Sequence, residues 1–381
     1  MKKRRVVILG ATGSIGQSAA KVARDIPDRM EIVGLSGNRN LSKLAELAAQ
    51  FPQAALCATC PQAAIPAGLD VRHHGEQGLV DLATLPGADL VLIAIVGTGG
   101  LKPALAAIEA GKDIAVASKE ILVMAGEAVM NAARRKGVKV LPVDSEHNAI
   151  FQCLEGRDPS EVQRLILTAS GGPFRKLPAA ELANVTRAQA LRHPTWNMGE
   201  KITIDSATLF NKGLEMIEAR WLFYVEMARV DVIVHPQSIV HSMVEFVDGS
   251  VLAQLSHSDM CFPIQYAVTW PERVPNSLRP LDFAHLSRLE FEAPRRQDFP
   301  ALDLAREAGE RGGTLPAVLN AANEIAVAAF LNNRIPFPRI WETVAEVMCR
   351  HAVIANASLE AILEADREAR AAAEAFVTKG R

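Results

Sequence analysis

Two polar stretches of this chain carry residue types that bind a divalent metal and a phosphate group. The first stretch, at 143–148, contains Asp144 and Glu146, which are two positions apart. Side chains of an extended strand alternate between its faces, so this spacing predicts two carboxylates on one side of an extended segment. An isolated pair of this kind is common in solvated turns, so it indicates a metal site only if other ligand residues are present elsewhere in the chain.

The second stretch, at 205–215, adds a third carboxylate. Glu215 lies one helical turn beyond Asn211, with Lys212 between them and Ser206 near the expected start of the helix. These polar residues are embedded among apolar ones, which predicts a helix that turns a polar cluster inward rather than a solvated face.

The chemistry of the two stretches is complementary. Three carboxylates that converge at about 4 Å would repel one another by roughly 1 to 4 kcal/mol per pair, so such a cluster needs a cation. Ligation by oxygen alone favours Mg²⁺ or Mn²⁺ over zinc. A substrate phosphate is bound by hydroxyls, an amide and a lysine, which the second stretch supplies.

A glycine-rich loop near the start of the chain predicts a nucleotide site. The sequence at 10–16 is GATGSIG, directly after an apolar run and before a helical pattern. Glycines at this place permit a tight turn and let backbone N–H groups reach a pyrophosphate at the helix N-terminus. The loop residues expected to contact a dinucleotide are Thr12, Gly13, Ser14 and Ile15. An ordinary glycine-rich turn is the alternative.

The end of the second expected strand indicates which dinucleotide binds. An NAD enzyme usually places Asp or Glu there, and that carboxylate would repel a 2′-phosphate. Here the chain continues as Gly37-Asn38-Arg39-Asn40, without an acid. Arg39, with Ser36 and the backbone amides, can bind a phosphate, which favours NADPH. A solvated loop arginine is the alternative.

Two further segments carry candidate site residues. Lys119 and Glu120 follow the expected strand 113–117, at another carboxyl strand end, where a surface ion pair is an equally good interpretation. His193, Trp196 and Met198 lie in a segment punctuated by proline and glycine that is long enough to be a lid. Apolar side chains in an otherwise polar loop indicate something apolar to cover.

The elements that position these residues alternate between strand and helix over the first 150 positions, which predicts a parallel sheet with helices on both faces. The expected strands are 5–9, 31–36, 90–96, 113–117 and 138–143. The expected helices are 15–25, 41–51, 101–110 and 127–136.

The pattern changes after this region. Runs at 165–168, 230–234, 241–246 and 251–255, with a hairpin signal at Asp248-Gly249, predict an antiparallel sheet beside a helix at 207–223. Prolines dominate 271–300, and helical patterns follow at 301–311, 316–331, 340–349 and 359–376.

The predicted fold class is therefore α/β, with an N-terminal doubly wound Rossmann-type domain, a middle α+β catalytic domain with an antiparallel sheet, and a small C-terminal helical domain. The expected boundaries are 1–147 for cofactor binding, 148–275 for catalysis and dimerisation, 276–300 for a linker and 301–381 for the helical domain.

Composition excludes several classes of partner. Lys and Arg number 41 against 43 Asp and Glu, giving a net charge of -2 without long runs of one sign, so neither nucleic acid nor a membrane is an expected partner. No run approaches the ~20 apolar residues of a membrane helix. Five cysteines without a secretion signal indicate reduced thiols, so we expect a cytoplasmic protein, and Cys57 and Cys60 are interpreted as ordinary thiols in a loop.

Taken in order, these motifs resemble the 1-deoxy-D-xylulose 5-phosphate reductoisomerase family. The matching segments extend over essentially the whole chain, at 10–16, 117–120, 143–148, 170–174, 193–199, 205–218, 235–238 and 319–324. The resemblance implies conversion of 1-deoxy-D-xylulose 5-phosphate to 2-C-methyl-D-erythritol 4-phosphate in non-mevalonate isoprenoid biosynthesis. It also implies NADPH and Mg²⁺ or Mn²⁺ as cofactors, and a homodimer formed through the antiparallel sheet.

The resemblance also implies a role for each matching residue. The metal would be held by Asp144, Glu146 and Glu215. The catalytic residues would be Lys119, Glu146 and His193. The substrate-binding residues would be Lys119, Ser145, Glu146, Ser170, His193, Ser206, Asn211, Lys212 and Glu215. The cofactor-binding residues would be Thr12, Gly13, Ser14, Ile15, Gly37, Asn38, Arg39, Asn40, Ser118, Glu120 and Gly199. Trp196 and Met198 would form a flap, and Ser118 departs from the Asn that many relatives carry.

Two other functions share parts of this pattern. A semialdehyde dehydrogenase also begins with a glycine loop, but it needs an activated thiolate, and Cys153 lies in an apolar helix without a nearby base. A non-catalytic NADPH-binding regulator would leave the carboxylates and lysine unexplained.

Overall fold

Residues 3–196 and 198–379 are described by the computed structural model of this 381-residue chain. In chain order, the strands are β1 (Arg4–Leu9), β2 (Met30–Gly37), β3 (Ala55–Ala58), β4 (His73–His74), β5 (Leu90–Ile93), β6 (Asp113–Val116), β7 (Val140–Pro142), β8 (Val162–Ala169), β9 (Val230–Val234), β10 (Val240–Phe246) and β11 (Val251–Leu255).

The helices alternate with the strands in the first part of the chain and dominate its end. In chain order they are α1 (Ser14–Asp25), α2 (Leu41–Gln50), α3 (Gly75–Ala83), α4 (Leu101–Glu109), α5 (Lys119–Lys136), α6 (Ser145–Cys153), α7 (Arg187–Ala190), α8 (Glu200–Thr208), α9 (Phe210–Phe223), α10 (Cys261–Thr269), α11 (Phe283–Leu286), α12 (Ala301–Arg311), α13 (Leu315–Leu331), α14 (Arg339–Arg350) and α15 (Leu359–Lys379).

The first sheet confirms the doubly wound prediction. Its 7 strands lie in the order β4-β3-β2-β1-β5-β6-β7, and each adjacent pair is parallel. The strand order reverses at β1, where ligands bind in sheets of this type. The pattern along the sequence did not predict β3, β4 or α3, because strands of 4 and 2 residues are too short to show a period.

Helix α5 begins earlier than predicted, at Lys119 rather than at position 127. The helix is kinked at Ala125, where φ is -136° and ψ is 32°. A side chain at Gly126 would have its Cβ 2.3 Å from the ring of Trp221, so packing requires glycine there. Gly126 is thus a close-packing position inside a helix.

The second sheet is mixed rather than purely antiparallel. Strand β10 pairs antiparallel with β8 and β11, but β8 and β9 are parallel, so the order is β11-β10-β8-β9. The segment between β8 and β9 contains α7, α8 and α9, which is long enough to return the chain to the same end of the sheet. The predicted antiparallel sheet is confirmed for β8, β10 and β11, and β9 joins it in parallel with β8.

The single helix predicted at 207–223 is two helices. Leu209 adopts a left-handed conformation with φ 66° between α8 and α9. Ser206 therefore lies near the end of α8, not at the start of a helix as predicted. A leucine is rarely left-handed, so nothing in the sequence signals this break.

The predicted C-terminal helices are confirmed as α12, α13, α14 and α15. Helix α13 is the most deeply buried of them, and it packs against α14 and α15 with the aromatic rings of Phe330, Phe337 and Trp341 at their junction. Helix α10, which lies before the proline-rich segment, was not predicted.

The chain forms two compact units. One contains residues 1–121, 127–148 and 259–280, and the other contains 122–126, 149–258 and 281–381. Among the described residues, no helix is both long and apolar enough to cross a bilayer.

Candidate active site

The glycine loop lies between β1 and α1 in the first unit, as predicted. Gly10 has φ 90°, and a Cβ there would lie 2.4 Å from the carbonyl oxygen of Ala94, so only glycine fits. Gly13 precedes the first residue of α1, and both it and Ser14 are exposed. The first-turn N–H groups of a helix have no acceptor within the helix, so this turn offers donors to an anion.

The polar residues at the end of β2 have different roles, although the sequence predicted that Ser36 and Arg39 would both bind a phosphate. Ser36 is buried, and its hydroxyl accepts a hydrogen bond from the Gly10 N–H at 2.8 Å, so it supports the glycine loop. Asn40 caps α2 through its side chain, which accepts from the Lys43 N–H. Asn38 and Arg39 are exposed. The Arg39 side chain is thus accessible from solvent.

The carboxyl end of β6 carries a buried lysine. Lys119, the first residue of α5, is 5% exposed, and its ammonium lies 2.5 Å from the Asp144 carboxylate. Beside it, the Ser118 hydroxyl lies 3.1 Å from the Gly97 carbonyl oxygen and 3.2 Å from the Glu120 carboxylate. The surface ion pair considered from the sequence is therefore excluded for Lys119, because its partner is Asp144 and the pair is largely buried.

Asp144 and Glu146 do not lie on one extended segment, so that prediction was wrong. Strand β7 ends at Pro142, Asp144 precedes α6, and Glu146 is in the first turn of that helix. The Ser145 hydroxyl lies 2.7 Å from the Glu146 carboxylate. Asp144 and Glu146 both follow the carboxyl end of β7, and Glu146 is already in α6, so strand alternation does not determine where their side chains lie.

In the second unit, His193 is held as a neutral imidazole. Its Nδ1 accepts from the backbone N–H groups of Thr195 and Trp196 at 3.2 and 2.9 Å, so this nitrogen carries no proton. Burial, with a smaller contribution from the positive charge of Lys212, lowers the pKa of His193 to about 4. The proton on Nε2 is then available to Ser170, whose Oγ lies 3.0 Å away.

Ser170 gains a defined orientation from this arrangement. Its Oγ accepts from His193 and from the Gly172 N–H at 3.2 Å. A serine hydroxyl has one donor and two acceptor positions. Both acceptor positions are used, so the Ser170 proton points away from the protein groups that hold it and is available to a ligand oxygen.

Helix α9 carries a buried charged pair. Lys212 and Glu215 have side chains 4% and 0% exposed, with 2.5 Å between ammonium and carboxylate. Asn211 donates its amide to the other Glu215 oxygen at 2.5 Å. Ser206, at the end of α8, lies half-buried with its hydroxyl 2.9 Å from the Ile202 carbonyl oxygen. Asn211, Lys212 and Glu215 are thus in direct contact, and the Glu215 carboxylate accepts from both of the other two side chains.

The segment 193–199 joins α7 to α8. The ring of Trp196 lies 6.4 Å from that of His241, and the Thr195 hydroxyl is 3.2 Å from Ser238. Met198 is half-buried, Gly199 is exposed and caps α8, and Asn197 lies outside the described residues. Sequence patterns did not predict the contacts with Ser238 and His241. The polar run at 235–242 inside an otherwise apolar strand region was the available signal.

Cys57 and Cys153, the thiols considered from the sequence in a C-x-x-C pair and as a possible nucleophile, are both buried. All five are free, and burial raises the pKa of Cys57, which lies in β3 rather than in the predicted loop, to about 12. Cys153 is buried at the end of α6. Thiol chemistry of the semialdehyde dehydrogenase type has no support here.

Comparison with known families matches nearly the whole chain to one enzyme. Three family models match, described as 1-deoxy-D-xylulose 5-phosphate reductoisomerase (residues 6–126), its C-terminal domain (140–223) and DXP reductoisomerase C-terminal domain (255–372).

Whole-chain relatives carry the same description. The chain is 53% identical to 1-deoxy-D-xylulose 5-phosphate reductoisomerase of Symbiobacterium thermophilum, covering 97% of this chain and 98% of the relative. It is 48% identical to the enzyme of that name in Pseudomonas paraeruginosa, covering 99% of each.

Solved structures agree in fold. The Zymomonas mobilis reductoisomerase in complex with NADPH has a TM-score of 0.90 at 45% identity, covering 99% of each chain. A DOX-P reductoisomerase in complex with NADPH, fosmidomycin and magnesium has a TM-score of 0.90 at 40% identity, covering 98% of each chain.

Proposed function

The chain belongs to the 1-deoxy-D-xylulose 5-phosphate reductoisomerase family, and from this premise we propose which of its residues perform the reaction. It is an oxidoreductase that isomerises and reduces 1-deoxy-D-xylulose 5-phosphate to 2-C-methyl-D-erythritol 4-phosphate with NADPH and a divalent metal. The observation that carries the assignment of residues is the buried Lys212–Glu215 pair, because charged groups are buried in a helix only at a cost.

We assign the metal to Asp144, Glu146 and Glu215. These residues offer only carboxylate oxygens, which suit Mg²⁺ or Mn²⁺. Two of the three carboxylates pair with lysine ammonium groups, Asp144 with Lys119 and Glu215 with Lys212. Carboxylates that recruit buried ammonium groups are suited to a cation, which supports the fit.

We assign NADPH to the first unit. The phosphates would contact the turn of Thr12, Gly13, Ser14 and Ile15, where exposed backbone donors begin α1. Arg39, with Gly37, Asn38 and the backbone of Asn40, would bind the 2′-phosphate. Ser118 and Glu120 of this unit would line the nicotinamide. Gly199, which belongs to the second unit, is also assigned to the cofactor.

The substrate phosphate is assigned to the second unit. Ser170 would donate the proton that His193 and Gly172 leave free, and Lys212 would supply positive charge. Ser206 and Asn211 would complete the hydrogen bonds. The phosphate would thus be bound by groups that the fold has already oriented, which lowers the entropy cost of binding.

The reacting end of the substrate is assigned to Lys119, Ser145 and Glu146. When bound, the metal polarises the substrate carbonyl as a Lewis acid and NADPH supplies the hydride. Lys119 would donate a hydrogen bond to a substrate hydroxyl, and Ser145 would orient the Glu146 carboxylate. His193, with Trp196 and Met198, would close over the substrate and exclude water.

The activity test is NADPH oxidation in the presence of 1-deoxy-D-xylulose 5-phosphate. We expect oxidation to stop on addition of EDTA and to resume with excess Mg²⁺ or Mn²⁺. Oxidation that continues unchanged in EDTA after removal of bound metal would contradict the metal assignment, and no oxidation with any metal would contradict the activity.

We propose that the protein is a homodimer formed through the second sheet. The exposed apolar residues Val247, Val251 and Leu252 lie on the β10–β11 hairpin at the edge of that sheet, with exposed fractions of 64%, 46% and 37%. Edge strands that expose apolar side chains are typical of surfaces covered by another chain. Val251→Glu should convert a dimer to a monomer in light scattering, and a monomeric parent protein would contradict the proposal.

We also propose that residues 1–147 serve cofactor binding, 148–275 catalysis and dimerisation, 276–300 as a linker, and 301–381 as a helical support. The free cysteines favour a cytoplasmic location, which cell fractionation would test.

A further inference from the structure

Two asparagines lie in the interior of an apolar helix. Asn320 and Asn323 of α13 are both 0% exposed, among alanine, valine and leucine side chains. An amide buried in such a helix costs free energy unless its hydrogen bonds are made. The two residues make different bonds, and the difference indicates a role for Asn323.

Asn323 reaches the helix that carries Ser206. Its amide Nδ2 donates to the Asp205 carboxylate at 2.8 Å, while its Oδ1 is buried without a hydrogen-bond partner in the described part of the chain. The Oδ1 of Asn320 is likewise buried without a hydrogen-bond partner among the described residues, but its Nδ2 donates to Glu324 on its own helix, at 3.1 Å. Asn323 thus leaves its Oδ1 without a hydrogen bond, while its Nδ2 makes the hydrogen bond that connects α13 to α8.

Asp205 is held from both sides. Its side chain is 1% exposed, one oxygen accepts from Asn323, and the other lies 2.9 Å from the Lys201 ammonium. Lys201 is on the same helix, so its ion pair with Asp205 lies within α8. Asn323 is the donor that comes from a different element, and hydrogen bonds to a charged acceptor are the stronger ones.

Ser206 follows Asp205 directly. Between Thr203 and Phe210, Ser206 is the residue that is not buried, so its location depends on how its neighbours pack. The loop that carries Ser170 approaches the same place, because a Cβ on Gly172 would lie 2.8 Å from the Ser206 carbonyl oxygen. A small shift of α8 would therefore move Ser206 and disturb the Ser170 loop together.

We propose that Asn323 is a positioning residue that fixes α8 through Asp205, and so holds Ser206 and the Ser170 loop in the geometry that binds the substrate phosphate. This inference rests on the proposed assignment of Ser206 and Ser170 to the phosphate. It gives the segment 319–324, which has no assigned contact with substrate or cofactor, a specific task. The effect should appear in the affinity for the phosphorylated ketose and not in the affinity for NADPH.

The test compares Asn323→Asp with Asn320→Asp. Both place a new carboxylate in α13 opposite an existing one, Asp205 in the first case and Glu324 in the second, so both should lower thermal stability. Asn323→Asp should raise the KM for 1-deoxy-D-xylulose 5-phosphate by about 10-fold or more, since small displacements of binding groups cost up to about 100-fold. Its NADPH KM, and both KM values of Asn320→Asp, should stay within about twofold of the parent.

Exchange of donor and acceptor supplies the rescue. In the double variant Asn323→Asp, Asp205→Asn the amide and the carboxylate change places, so the bond between α13 and α8 is restored. We expect most of the loss in substrate KM to be recovered. If Asn323→Asp does not fold, Asn323→Ala, which removes the donor without adding charge, replaces it and should raise the same KM.

Several results would overturn the proposal. One is an unchanged substrate KM in both Asn323→Asp and Asn323→Ala, and another is an equal rise in the KM values for substrate and for NADPH. The others are a rise in substrate KM in Asn320→Asp equal to that in Asn323→Asp, and no recovery of substrate KM in the double variant. The variant Ser206→Ala distinguishes an incorrect positioning role of Asn323 from an incorrect assignment of Ser206 to the substrate phosphate. If Ser206→Ala raises the substrate KM but the Asn323 variants do not, the positioning role is wrong, whereas no effect of Ser206→Ala would contradict the phosphate assignment itself.

Discussion

Ser170 and His193 are joined by a hydrogen bond of 3.0 Å between Oγ and Nε2, and His193 donates it because its Nδ1 is an acceptor and the ring proton is therefore on Nε2. The backbone donors of Thr195 and Trp196 occupy Nδ1, so a second proton on the ring would displace them. Protonation of His193 would therefore disturb the backbone at Thr195 and Trp196, while Nε2 would still donate to Ser170 in the loop after β8.

The protonation of His193 should make the stability of the protein depend on pH. Burial, with Lys212 nearby, lowers the pKa of His193 from its ordinary value of 6.5 to about 4, so the unfolded chain binds this proton first as pH falls. The contribution of neutral His193 to stability is complete above pH 6.5, is lost as pH falls toward about 4, and changes no further below that.

Urea unfolding from neutral pH to about pH 5 measures this effect, since stability falls where the unfolded state binds more protons. The parent should lose stability more steeply than His193→Gln. Burial also lowers the pKa of His241 to about 4. The pH dependence of the stability of His241→Gln is therefore measured beside that of His193→Gln as a matched comparison. Parallel curves for the parent and His193→Gln would show that His193 does not titrate as stated.

Arg39→Glu should raise the NADPH KM by about 10-fold or more, because an attractive charge-assisted contact with the 2′-phosphate becomes a repulsive one. The preference for NADPH over NADH should narrow, since NADH lacks that phosphate. Steady-state kinetics with both nucleotides measure the ratio. Arg72→Glu, an exposed arginine in the same unit, is the control, and an unchanged ratio in Arg39→Glu would mean that another group recognises the 2′-phosphate.

Glu215→Gln should lower kcat/KM by about 100-fold or more, because even changes behind the metal ligands cost about 10- to 100-fold. The metal-free variant should also be less stable, because it weakens a buried ion pair with Lys212.

The double variant Lys212→Met, Glu215→Gln should recover stability but not activity, since replacing a buried pair with neutral groups is often tolerated. Thermal unfolding without metal, together with kinetics at limiting Mg²⁺, measures both quantities. Parent-like activity of Glu215→Gln at limiting metal would show that this carboxylate is not a ligand.

Trp196→Ala should reduce kcat/KM for the ketose phosphate much more than it weakens NADPH binding to the free enzyme. The Trp196 ring packs near His241 in a segment that we expect to close only over substrate. Fluorescence titration gives the NADPH affinity, and initial rates give kcat/KM. Trp341→Phe, in the C-terminal helices, controls for loss of a tryptophan, and an equal loss of both quantities in Trp196→Ala would indicate a purely structural loop.

The sequence by itself determined the doubly wound sheet, the glycine loop after β1 and the four C-terminal helices. Each depends on a repeating apolar pattern or on glycine at a turn, which are local properties. It also identified the polar groups of the site, because carboxylates, lysine and serine in apolar surroundings are visible in the order of residues.

Tertiary structure decided how those groups are held. The left-handed Leu209 that divides α8 from α9, the parallel pairing of β8 with β9 and the early start of α5 all follow from packing between segments distant in sequence. The same is true of the Asn323–Asp205 bond, which joins residues 118 positions apart. Local pattern cannot encode such contacts, because their free energy arises only when the two segments meet.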